Sequence, residues 1–140
     1  MGINENYPSW LVPIETARKL KELGFKERCL FAYDNQRGLT IETSSLHESV
    51  VGFDELLFDE NEFGDVVSIP TYEQAFEWFA NKGWLGVIIS LDTLDYSYKV
   101  VYRNVLVVDV KNTYIKSYSE IRERLVDTLV RLYDDKGFLS

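Results

Sequence analysis

The sequence is poor in the residues that most often carry chemistry: it has one cysteine, Cys29, and one histidine, His47. A lone cysteine excludes an internal disulfide and any metal site built from several thiolates. Apolar runs are short as well. The stretch from Val105 to Val108 is far below the length that crosses a bilayer. The first residues, Met1-Gly2-Ile3-Asn4-Glu5-Asn6, lack the basic and apolar regions of a secretory signal. Gly2 does not extend into a myristoylation motif, because Asn6 stands where Ser or Thr is needed. A cytoplasmic protein is the expectation.

What is present suits a folded chain. Of 140 residues, 46% are hydrophobic and 27% charged, which separates the sequence from disordered ones. A domain of this size buries roughly two-thirds of its unfolded surface. Nine Tyr, eight Phe and three Trp supply area for a core and leave rings for a surface.

Basic residues are scarce in the middle of the chain. Residues 31–95 hold only Arg37 and Lys82 against thirteen carboxylates, whereas residues 1–30 and 96–140 are close to balanced. The net charge of −8 opposes non-specific binding to phosphate backbones, so direct nucleic-acid binding is not expected.

The periodicity predicts three helices and a set of hairpin-connected strands. Ile14, Ala17, Leu20 and Leu23 recur at helical spacing after Pro13, and Gly24-Phe25 reads as a left-handed cap. Residues 28–43 alternate as a hairpin around Asp34-Asn35-Gln36-Arg37-Gly38. Thr71-Tyr72-Glu73-Gln74 is a capping box opening a second helix, whose stripe is Tyr72, Ala75, Phe76 and Phe79, with Trp78 to its side and Gly83 as stop. Strands follow over Trp84–Leu91, from Tyr96 to Tyr102, and over Val105–Val110, with a turn at Arg103-Asn104. Ser117 and Glu120 make a second capping box, and Ile121, Leu125, Leu129 and Leu132 line a helix ending near Lys136, with Gly137 as its stop. These elements predict a single α+β domain over residues 1–140. It has an antiparallel sheet of about four to five strands and three helices in two layers, with residues 1–12 as a flexible N-terminal segment.

The segments Ile69-Pro70-Thr71-Tyr72-Glu73-Gln74-Ala75-Phe76-Glu77-Trp78-Phe79, Ala17 to Phe25 and Ser117 to Glu120 resemble a family of short uncharacterised proteins from prophages and mobile elements of Bacteroidetes. The resemblance spans most of the chain except residues 44–65. Its motifs are caps, core stripes and a glycine stop, so it implies a fold and a genetic setting without an activity or site residues.

Candidate chemistry is thin. His47 lies among Ser44, Ser45, Glu48 and Ser49, yet no nucleophile elbow or oxyanion turn accompanies it, and an ordinary loop histidine is expected. Cys29 sits on an apolar strand and reads as a small buried hydrophobe. Residues 54–65 gather Asp54, Asp59, Glu60, Glu62 and Asp65, the metal candidates of the sequence. Asp59, Asn61 and Gly64 echo a calcium loop, but Phe63 and Pro70 occupy its fifth and twelfth positions, where ligands belong. Trp78, Trp84, Tyr96, Tyr98 and Tyr102 are candidates for an interaction surface, since a sheet covered on one face leaves its other face to solvent or to a partner.

The sequence thus predicts a non-catalytic accessory or protein-interaction module without cofactor, capable of binding a protein or itself. The alternatives are a cation-binding protein or small enzyme built on the acidic stretch, or an acidic mimic of nucleic acid.

Overall fold

The protein is described by a computed structural model, which covers residues 7–41, 66–90 and 95–136. Residues 42–65, with the metal candidates and His47, lie outside the described residues. The fold is α+β with antiparallel strands, and the chain divides into two compact units, Met1–Thr71 and Tyr72–Ser140. Among the described residues each carries a sheet of three strands.

In the first unit, helix α1 (Ile14–Glu22) follows Pro13, whose fixed φ suits a helix entry. Its end is a Schellman motif: the Phe25 amide donates to the Leu20 carbonyl at 2.9 Å and the Gly24 amide to that of Lys21 at 3.1 Å. Gly24 takes φ +101°, a left-handed conformation that a side chain resists, and Phe25 is thereby turned into the core. Strands β1 (Phe31–Asp34), β2 (Gly38–Ile41) and β3 (Val67–Ile69) form a sheet in the order β2-β1-β3. Ala32 pairs with Thr40 on one side and Ser68 on the other.

The β1–β2 turn is held by one carboxylate. Asp34 accepts the amides of Gln36 at 2.8 Å and Arg37 at 2.6 Å, while its second oxygen takes the Arg37 Nε–H at 2.8 Å. Leu11 and Val12 are buried rather than part of a free tail. The Val12 amide donates to the Pro70 carbonyl at 3.1 Å and Leu11 bridges Thr71, so residues 11 and 12 are ordered by backbone pairing. Cys29 is fully buried, as its apolar neighbours led one to expect.

In the second unit, α2 (Tyr72–Asn81) leads into β4 (Trp84–Ser90), β5 (Tyr96–Tyr102) and β6 (Val105–Ile115), ordered β4-β5-β6, and α3 (Tyr118–Lys136) closes it. The β5–β6 connection is a two-residue turn in which Arg103 (φ 48°) and Asn104 (φ 72°) are both left-handed, the geometry that matches strand twist. Ser117 caps α3, its hydroxyl accepting the Glu120 amide at 3.2 Å.

Both helices pack on the same face of this sheet. A Cβ at Gly86 would lie 2.9 Å from a methyl of Leu125, so α3 approaches β4 where there is no side chain. Ile121, Leu125, Val126, Leu129, Val130 and Tyr133 of α3 are buried there, each such side chain contributing about 1.5–3 kcal/mol. Trp78 belongs to the core stripe of α2, its ring 5.3 Å from that of Tyr133, whereas Phe76 is only half-buried.

One buried polar link joins α3 to β5. The Thr128 hydroxyl donates to the Arg124 carbonyl at 3.0 Å, which leaves its oxygen to accept from the Tyr98 hydroxyl at 2.8 Å. Thr128→Val strands a buried phenol and is expected to cost about 1–3 kcal/mol in urea unfolding. Tyr98→Phe leaves Thr128 its carbonyl partner and should cost only about 1 kcal/mol. Tyr102, whose buried hydroxyl has no hydrogen-bond partner among the described residues, should tolerate Phe without loss.

Asp34 provides a pH test. The Arg37 amide and guanidinium hold its carboxyl below the ordinary 3.8. A depressed folded pKa gives stability that is complete above the unfolded value and is lost as pH falls through the folded one. Side-chain NMR titration is expected to place the midpoint below 3.8, with Arg37→Ala moving it upward.

Candidate functional site

The strand register decides which side chains share a face. Trp84 pairs with Tyr102, Gly86 with Val100, Ile88 with Tyr98 and Ser90 with Tyr96, and Gly86 marks this as the face under α3. The intervening pairs, Leu85 with Val101 and Val87 with Lys99, point the other way.

This arrangement corrects the tyrosine-rich interaction face expected from the sequence. Tyr98 is 8% exposed and hydrogen-bonded to α3, while Trp84 (2%) and Trp78 (6%) are core residues. Tyr96 and Tyr102 are half-buried on the same side. The physical reason is that α3 covers the aromatic face, so those rings are packed rather than presented. Trp84 lies against Tyr102 with ring centroids 4.3 Å apart. Tyr72 is likewise buried at the start of α2; burial pushes its phenol pKa well up, and the Arg122 guanidinium 4.5 Å over its ring opposes the shift.

The face away from α3 is aliphatic instead. Leu85 (50% exposed), Val101 and Leu106 (52%) form one cross-strand row on β4, β5 and β6. Val87, Lys99 and Asp109 form the next row, with the Lys111 ammonium 3.6 Å from Asp109. Adjacent apolar residues at this exposure make a patch rather than scattered single residues.

A second feature lies on the helix side. A groove of about 380 Å³ runs between the helices, with Gly86, Ile88 and Ser90 as floor. Phe76 and Leu125 border it, and Tyr96 and Tyr118 stand at its end with ring centroids 5.8 Å apart.

Near that end β6 departs from regular pairing. Tyr96 pairs with Ile115 but Tyr98 with Val110, so residues of β6 bulge out between them. The Thr113 hydroxyl pins the bulge, donating to the Tyr96 carbonyl while accepting the Ile115 amide. Tyr114 is left-handed at φ 59° and 80% exposed. Sequence patterning missed this bulge, for which only the polar run Lys111-Asn112-Thr113 gives a hint.

Among the described residues, no group of three His, Cys, Asp or Glu side chains could hold a metal ion. Asp54, Asp59, Glu60, Glu62 and Asp65 lie outside those residues. No described helix is long and apolar enough to cross a membrane. No family model, curated protein or solved structure matches the chain.

The left-handed Tyr114 backbone costs about 1–2 kcal/mol relative to a residue without Cβ. Replacing Tyr by Gly at an ordinary strand position costs up to about 1 kcal/mol. Tyr114→Gly is therefore expected to leave thermal stability unchanged or slightly raised, measured by calorimetry, while Tyr114→Val lowers it.

Proposed function

We propose that this chain is a non-catalytic protein-interaction module whose contact surface is the open face of the β4-β5-β6 sheet. The observation that carries this reading is the row of Leu85, half-buried Val101 and Leu106, whose exposed leucines leave the water only if another surface covers them. The resemblance of its helix caps and core stripes to short prophage proteins suits an accessory role in a mobile element.

A second copy of the chain is the partner that the face itself favours. Its charged row holds both signs, with Lys99 opposite Asp109 and Lys111 close by, so an identical surface offers counter-charges to its own. Isologous contact is also the commonest route to a dimer. Three strands about 4.8 Å apart and seven residues rising about 3.3 Å each give a plan area of roughly 300 Å². That places the contact at the small, reversible end of interfaces.

Chromatography with light scattering is expected to show a mass that rises with concentration above the 16.3 kDa of one chain. Leu85→Lys combined with Leu106→Lys should return it to one chain while leaving the circular dichroism spectrum intact. A wild-type mass of one chain at every concentration refutes self-association.

A further inference from the structure

A different part of the molecule carries a ligand inference: the groove between α2 and α3, on the side of the sheet away from the aliphatic patch. Here a space of about 380 Å³ stays open, within the range of roughly 300–1,000 Å³ typical of small-molecule sites. Its origin is local. On the helix-facing row of β4, Gly86 has no side chain and Ser90 a short one, so the floor is low at both positions. Leu125 settles onto Gly86 from one side, and Phe76 borders the space from α2.

The lining specifies the kind of occupant. Tyr96 and Tyr118 meet at an interplanar angle of 57°, forming a corner into which a third ring fits edge-on to one and offset over the other. Ser90, Tyr96 and Tyr118 bring hydroxyl-bearing side chains to the lining. None of the described residues that line the groove is charged, and the Arg122 guanidinium lies 5.0 Å from the Tyr118 ring centroid. We infer that this groove is a binding site for a planar aromatic molecule with one hydrogen-bonding group, of the size of phenol or indole.

The site is physically separate from the proposed protein contact, and its test reads different residues. Titration of ¹⁵N-labelled protein with indole is expected to give saturable amide shifts at Gly86, Ile88, Ser90 and Leu125, with Leu85 and Leu106 unmoved. Ser90→Trp places a ring in the groove and should abolish the indole shifts. Should that variant fail to fold, Tyr118→Ala removes an exposed wall at the first residue of α3 and should weaken binding about threefold or more. Shifts that do not saturate, or that persist unchanged in both variants, overturn the inference.

Discussion

A leucine methyl of α3 occupies the space that a side chain at position 86 would need, and the layering of residues 72–140 depends on that fit. With Leu125 seated over Gly86, the adjoining turns of α3 bring Ile121 and Leu129 onto the sheet and align Thr128 with Tyr98. The same contact makes the two surfaces. By drawing the helices to one face it leaves Leu85, Val101 and Leu106 uncovered on the other. By lowering the floor beside Ile88 it leaves a groove that the helices do not fill.

Much of this fold is legible in the sequence because local chemistry marks its boundaries. Gly24-Phe25 ends α1, Asp34 folds the first hairpin, Arg103-Asn104 makes the second turn, and Ser117 opens α3 at the expected residue. Contacts between distant segments are less legible. Val67–Ile69 is too short for periodicity to announce, yet it pairs with Phe31–Tyr33. The distribution of strands over two sheets follows from that pairing.

The aromatic residues show the limit most clearly. Alternation correctly puts Tyr96, Tyr98, Val100 and Tyr102 on one side of a strand. It does not say which side a helix will cover, since that depends on where the neighbouring strand is small enough to admit one. Gly86 decides the matter, and its meaning appears only when Leu125 is placed beside it. The groove was hidden for the same reason, being a consequence of what Gly86 and Ser90 lack. The acidic stretch, the most conspicuous feature of the sequence, lies outside the described residues.

The bulge of β6 has a further consequence. Among the described strands β6 pairs only with β5, and at Val105–Ile115 it is the longest of them. A long, flat outer strand is a template on which other chains can polymerise into fibrils. The kink around Tyr114 breaks that template near one end, and the ammonium groups of Lys111 and Lys116 flank it. An incoming strand would have to follow a backbone whose hydrogen-bonding direction changes within a few residues, while desolvating charges beside it. The irregularity thus restricts association along the strand edge, leaving broad faces as the places where this molecule can meet others without growing into an open-ended assembly.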